Sequence, residues 1–164
     1  MHPQIDSIFD DAENRYLKPE ELKLVSQYVE SLPERLEAYR RLRDQEVEIM
    51  QWAADQLQAA MPQEKPEMLE RSIKNALLML RYCAMGMLLN DDSLVKERYV
   101  AWIHDMNQVY NTSAIDSTLS QYLNQRLNQV LGAKAMSLLR PMIALAQGEL
   151  AQPESMNGMA TIGW

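Results

Sequence analysis

The sequence predicts an all-α fold built as a single domain. Of its 164 residues, 47% are hydrophobic and only five are glycine, and the abundant Met, Leu, Ala, Gln and Glu favour helix over strand. Apolar residues recur at helical spacing, whereas strand-like alternation and internal repeats are lacking. A chain of this length can bury a sizeable core without disulfides. We expect residues 1–150 to form the domain and the aperiodic residues 151–164 to form a flexible tail.

Two short amphipathic helices are predicted at the N-terminus, over about residues 4–14 and 19–30. Pro3 and Pro19 begin them, because a proline at a helix start loses no hydrogen bond and already has a helical φ. Apolar residues then lie on one face of each helix. We expect the two helices to form a hairpin within residues 1–30.

A third and a fourth helix follow. The stretch Ser31-Leu32-Pro33-Glu34 has the pattern of a capping box, which predicts that a separate helix begins there and ends near Ala60. The fourth helix is predicted over about residues 66–90. Because residues 76–89 are apolar on nearly every side, we expect this helix to lie at the centre of the fold.

Three more helices are predicted in the C-terminal part. A polar Asn-Asp-Asp-Ser segment separates the fourth helix from a fifth over Leu94–Tyr110. A capping box at Ser113–Asp116 begins a sixth helix, which ends at Gly132. The seventh helix spans about residues 133–150, and Pro141 inside it predicts a kink or a break.

Composition argues against several classes of function. The net charge of -7 and a pI near 4.9 disfavour a nucleic-acid partner, which requires a cationic surface. Cys83 is the only cysteine, so we expect no intramolecular disulfide, no cysteine-based zinc site and a reducing compartment. Acidic residues from Asp6 onward, and Arg81 within the longest apolar run, argue against a signal peptide and a membrane span. We therefore expect a cytoplasmic protein.

Catalytic motifs are lacking as well. The sequence has no G-x-S-x-G, glycine-rich phosphate loop or H-E-x-x-H pattern, so we expect no intrinsic enzymatic activity and no metal site. His104 is the only internal histidine and leaves a haem globin open as an alternative. A helical histidine beside Asp105 is, however, typical of a solvated surface.

Two stretches of the sequence resemble the phycobiliproteins. Residues 10–22, DDAENRYLKPEEL, are similar to the N-terminal helical hairpin of that family, and residues 72–110 are similar, without a gap, to its chromophore helix and the helix that follows. The second stretch shares with the family the positions Leu80, Arg81, Asp91, Asp92, Ile103, Asn107 and Tyr110. The resemblance covers about residues 8–150. It implies a globin-like phycobiliprotein fold with an N-terminal two-helix extension.

Ser72, Lys74 and Asn75 stand at the positions that the resemblance gives to the chromophore site. In the family these positions hold a cysteine that forms a thioether to a linear tetrapyrrole, an arginine that binds its propionates and an aspartate that binds its pyrrole nitrogens. A serine hydroxyl cannot replace the thiol as nucleophile, so the resemblance implies a member without a covalent chromophore. Lys74 can still pair with a propionate and Asn75 can accept pyrrole N–H bonds. A non-covalent phycocyanobilin or biliverdin site therefore stays open.

Other residues near this stretch have two interpretations. Tyr99 and Trp102 would flank a flat ligand in such a bilin pocket, or would pack in the core as aromatic residues at helical spacing commonly do. Cys83 lies three turns beyond Ser72 inside the apolar run, where burial raises the pKa of a thiol and makes it inert. We therefore assign Cys83 to the core.

Asp11, Tyr16 and Arg81 are assigned to a dimer interface by the resemblance. In the family an aspartate of the first helix pairs with the central-helix arginine of the partner subunit. An arginine in an apolar helix is costly unless it is paired, and Asp92 of the same chain is the alternative partner. The resemblance thus implies a homodimer through the N-terminal helices.

Two functions follow from the resemblance, which extends to the bilin-biosynthesis-associated globins of cyanobacteria. The chain is either an accessory protein of bilin biosynthesis or handling, in contact with free bilin, haem oxygenase or bilin reductase, or a colourless structural or assembly subunit of the phycobilisome. Co-sedimentation with intact phycobilisomes would favour the second function.

Overall fold

The computed structural model describes residues 2–150, which are almost entirely helical and contain no strand. The elements in chain order are α1 (Pro3–Asp11), α2 (Pro19–Ala60), α3 (Pro66–Leu89), a π-helix (Leu94–Val100), α4 (Ala101–Val109) and α5 (Ser113–Leu150). This architecture confirms the predicted all-α fold. The predicted tail over residues 151–164 lies outside the described residues.

The predicted second and third helices are one continuous helix, α2, so the prediction that a helix begins at Ser31-Leu32-Pro33-Glu34 is wrong. The Ser31 hydroxyl donates a hydrogen bond to the Tyr28 carbonyl at 2.8 Å, and it therefore satisfies the preceding turn instead of capping a new helix. Arg35 then bridges the Ser31 hydroxyl and the Met87 carbonyl at the end of α3. These contacts hold the helix together where Pro33 removes a backbone donor.

The helix α3 lies between α2 and α5, as the apolar run predicts. Met79, Leu80 and Cys83 of α3 are fully buried against α2 and α5 in the main core cluster. Leu78 and Met85 nevertheless reach solvent. The predicted central position of α3 is therefore found, although one face of the helix stays open to solvent.

Two backbone irregularities divide the C-terminal part. The predicted fifth helix begins as the π-helix and continues as α4. Within α5, Gly132 has φ 77° and ψ 168°, which confirms the predicted helix boundary at this glycine. Helical backbone continues through Pro141, so the break predicted there is not found.

Across the described residues 2–150, no helix combines the length and the apolar character that crossing a bilayer requires.

Replacing Gly132 by alanine should lower the free energy of unfolding by about 1–3 kcal/mol, because its backbone angles fall in a region that only glycine adopts readily. A Cβ at Gly132 would meet no atom within 4 Å, so the loss reflects backbone strain alone. Gly148→Ala is the matched control, at an exposed helical position with equally free space, and it should raise stability by about 0.5–1 kcal/mol. Urea unfolding of both variants measures the contrast. Equal responses would contradict this interpretation of Gly132.

Candidate functional site

A small cavity lies beside Ser72, where α3 faces the π-helix and the start of α5. Ser72 and Asn75 of α3, Tyr99 of the π-helix and Asp116 and Leu119 of α5 contribute to its lining. The space open to the centre of a water molecule is about 10 Å³, which is room for about one water. Ligand pockets usually measure about 300–1,000 Å³, so a tetrapyrrole does not fit in this closed arrangement.

Ser72 is the most deeply buried polar residue of α3 at this cavity. Its side chain is 1% exposed, and its hydroxyl makes no hydrogen bond of normal length and angle within the described chain. The hydroxyl is still close enough to Asp116 to favour the charged form of that carboxylate. A buried hydroxyl without a partner costs about 1–3 kcal/mol, which identifies the cavity as a polar defect in the core.

Asp116 is the acidic group on the opposite wall, in the first turn of α5. It accepts a hydrogen bond of 2.7 Å from the Thr112 hydroxyl, and its own N–H donates to the Thr112 carbonyl at 2.8 Å. Burial raises the pKa of Asp116, and the hydroxyls of Ser72 and Thr112 oppose that rise only in part. Burial, and then the charge of Asp116, raise the pKa of Tyr99.

Asp116 was missed as a site residue by the sequence analysis, which assigned it only to a capping box. The helix begins at Ser113, and the side chain that binds Asp116 is Thr112, one residue before the predicted cap. The sequence signal for this pair is a threonine four residues before an aspartate at a helix start, a pattern that also occurs at many solvent-exposed helix caps. The pattern does not show that Asp116 is buried, because that depends on how α5 packs against α3.

Lys74 and Trp102 lie outside the cavity, although both were assigned to the same bilin pocket as Ser72. Lys74 pairs with Glu70 at 2.7 Å on the exposed side of α3, along a shallow depression that Asn75 also borders. Trp102 is partly exposed, and its ring centroid lies 6.3 Å from that of Tyr99. The structure thus brings Ser72, Asn75 and Tyr99 together and separates the other two.

The depression outside Lys74 is polar and open, with a volume of about 300 Å³. Glu67 and Glu70 line it beside Arg71 and Lys74, so acidic groups stand next to the cations that would bind a propionate. Arg71 also stacks over the ring of Tyr110, with its guanidinium carbon 3.4 Å from the ring centroid. These partners leave the depression poorly suited to an anionic pigment.

Cys83 and His104, the other residues with potential tetrapyrrole chemistry, also lie away from the cavity. Cys83 is 0% exposed, and burial raises the pKa of its thiol to about 12, which confirms its assignment to the core and leaves almost no reactive thiolate at neutral pH. His104 is exposed on α4 with Gln108 beside it. Within the described chain, no group of acidic, histidine or cysteine side chains is arranged to hold a metal ion.

Arg81 is not the buried, isolated cation that its apolar surroundings in the sequence suggest. Its side chain is 59% exposed, and it forms a two-pronged ion pair with Glu46 of α2. The alternative partner Asp92 instead pairs with Lys96. The argument that Arg81 needs a partner subunit's carboxylate because it is buried is therefore wrong.

The N-terminal residues assigned to the dimer interface remain accessible in the single chain. Asp11 pairs with Arg15, which also contacts Glu21. Tyr16 is 98% exposed. Neither residue contacts Arg81, so the single chain contains no version of the Asp11–Arg81 pair.

A family-level match covers most of the chain. A model described as the phycobilisome protein matches residues 9–150, a span that contains α2 to α5 and both walls of the cavity. No curated protein matches the sequence at a significant level.

The raised pKa of Asp116 predicts a pH-dependent stability cost. Because the folded chain holds this proton more tightly than the unfolded chain, its stability should fall as pH rises from about 3.8, the ordinary Asp value, to the raised pKa. Asp116→Asn removes the titrating group. The free energy of unfolding of the variant minus that of wild type should therefore increase as pH rises through this range. Unfolding by urea at a series of pH values tests this, with the exposed Asp10→Asn as control. A difference that is flat in pH, or that changes equally in the control, would refute it.

Proposed function

Because the chain belongs to the phycobilisome protein family, we propose that it is a phycobiliprotein-like accessory protein that carries no covalent chromophore. It is non-catalytic and serves bilin biosynthesis or handling in the cytoplasm. It acts through contacts with protein partners, of which haem oxygenase and bilin reductase are the expected class. The resemblance of residues 72–110 to a chromophore helix supports the link to bilin.

The closed cavity at Ser72 is the observation that carries this proposal. A thioether needs a thiolate that a vinyl-type side chain of the bilin can reach. Ser72 offers a hydroxyl in a space for about one water, and Cys83 is buried with a pKa of about 12. Neither residue meets the requirement, so the family's fold is retained while its means of holding pigment is not.

Contacts with partners are supported by the N-terminal helices. Phe9 of α1 and Leu22 and Val29 of α2 are large apolar residues that are about half exposed. Burying such side chains in an interface contributes about 25 cal/mol per Å² of apolar surface. The N-terminal arm, which comprises α1 and residues 19–30 of α2, is therefore suited to association with another protein.

We propose that this arm binds a second copy of the chain. An apolar groove of about 260 Å³ runs between α2 and α3, with Leu80 and Met85 in its lining and Glu46 and Arg81 at its border. In the dimer, the arm of one subunit lies along this groove, with Tyr16 in the interface and Asp11 brought to the partner subunit's Arg81. The exposed ion pair of Arg81 with Glu46 is weak enough to rearrange.

A colourless subunit of the phycobilisome is the second candidate function. The exposed apolar arm is the observation that supports it, because a subunit built into a larger assembly buries such a surface against its neighbours. The two functions differ in location. A structural subunit co-sediments with intact phycobilisomes at a fixed stoichiometry, whereas an accessory protein of bilin synthesis stays in the supernatant.

Production of the protein in cells that also make phycocyanobilin should give a colourless product. Its band on a denaturing gel should show no zinc-induced fluorescence, because no thiol is available for attachment. Cys83→Ser is the matched variant, since it removes the only cysteine from an otherwise identical chain. A fluorescent wild-type band that disappears in Cys83→Ser would disprove the absence of a covalent chromophore. Colour that persists in solution but not on the gel would disprove the closed cavity.

Charges placed on the arm should dissociate the dimer. Leu22→Lys combined with Val29→Lys puts two ammonium groups where the interface is apolar, and we expect a shift from the dimer to the monomer sedimentation coefficient. Val109→Lys is the control, because Val109 is also an exposed apolar residue but lies at the end of α4, outside the arm. A monomeric wild type, or an unchanged dimer in the double variant, would rule out this interface.

A further inference from the structure

A second cavity, unrelated to the one at Ser72, lies where α1, α2 and the end of α3 meet. Its volume is about 190 Å³. It is lined by His2, Gln4, Ile5, Leu24, Gln27, Tyr28, Ser31, Arg35 and Asn90. None of these lining residues is acidic, although acidic residues outnumber basic ones in the chain by 23 to 16. The lining of the cavity therefore contains a cation and no carboxylate.

Arg35 supplies that positive charge. Its Nη1 donates to the Met87 carbonyl at 2.6 Å and its Nε to the Ser31 hydroxyl at 3.1 Å. Both acceptors are neutral, and Arg35 forms no ion pair within the described chain, unlike Arg15, Arg41, Arg43, Arg81 and Arg126. These two hydrogen bonds use only part of the five N–H donors of the guanidinium. The donors that remain include both N–H groups of Nη2.

Burial of this cation carries an electrostatic cost. Desolvation lowers the pKa of Arg35, which means that the surroundings disfavour its charge. A buried charge is normally paired, because the penalty for leaving it alone is large. The neutral contacts of Arg35 leave that requirement unmet.

Neutral side chains that can donate hydrogen bonds line the same cavity as Arg35. The side-chain amides of Gln27 and Asn90 and the hydroxyl of Tyr28 line the same space. Asn90 is held in a left-handed conformation, with φ 50° and ψ 47°, at the end of α3. A cation with a planar fork and several neutral donors around one cavity is the usual composition of an oxyanion site.

We propose that this cavity binds the carboxylate or phosphate group of a small molecule. The oxyanion accepts hydrogen bonds from the terminal nitrogens of Arg35 and from the neutral donors at the wall. It neutralises a half-buried arginine that has no carboxylate partner in the described chain. Because the site joins α1 and α2 to the end of α3, the bound anion also stabilises the position of the N-terminal arm.

Titration of the full-length protein with sodium phosphate and, separately, sodium acetate tests this proposal. Two-dimensional amide NMR spectra should show saturable shifts at Tyr28, Ser31 and Asn90, measured against sodium chloride at equal ionic strength. Arg35→Gln should weaken binding by about tenfold or more, because charge-assisted bonds to a bidentate group are lost. Arg35→Lys keeps the charge without the fork, so it should bind with intermediate affinity.

Arg41→Gln is the matched control. Arg41 also lies on α2 and donates to a carbonyl of another helix, that of Leu131, but it is paired with Glu37. Its variant should retain the full affinity for both anions. Shifts that chloride reproduces, or affinities that Arg35→Gln and Arg35→Lys leave unchanged, would overturn the proposal. Binding of phosphate alone, or of acetate alone, would support it and identify the preferred oxyanion.

Discussion

The packing of α3 between α2 and α5 determines both the fold and the chemistry that the fold permits. It buries Leu80 and Cys83 completely, and burial of this apolar surface is the main term that stabilises a helical domain of this size. The same packing brings Asp116 and Leu119 against Ser72. The space beside Ser72 is therefore reduced to a cavity for about one water.

Charge is distributed around this core in a consistent way. Half of the lysines and arginines that the structure describes form an ion pair with an acidic side chain, as Lys74 does with Glu70 and Arg81 with Glu46. Such exposed pairs contribute little to stability, but each pair leaves its cation less able to attract an anionic ligand. Arg35 differs because its contacts are neutral. Its contact with Met87, near the C-terminal end of α3, places the proposed anion site away from Ser72 in the first half of that helix.

Much of the fold was predictable because helix starts and breaks are local signals. A proline in the first turn predicts the start of a helix. A glycine such as Gly132 predicts the end of one, because glycine readily adopts a positive φ. The continuity of α2 was not predictable, because the contacts beside Pro33 include one from Arg35 to the Met87 carbonyl, 52 residues away, which a local pattern does not reveal. The exposure of Arg81 and the burial of Asp116 depend on how helices rotate against one another. An apolar run such as residues 76–89 does not specify that rotation.

Thiol reactivity at position 72 tests the closed site most directly. In a Cys83→Ala background, the thiol introduced by Ser72→Cys should react with a maleimide at least about 100-fold more slowly than that introduced by Lys74→Cys, because reaction requires local opening of the packed helices. Lys74 lies two residues away on the same helix with its side chain 72% exposed. Comparable rates for the two thiols in the folded protein would contradict the closed site.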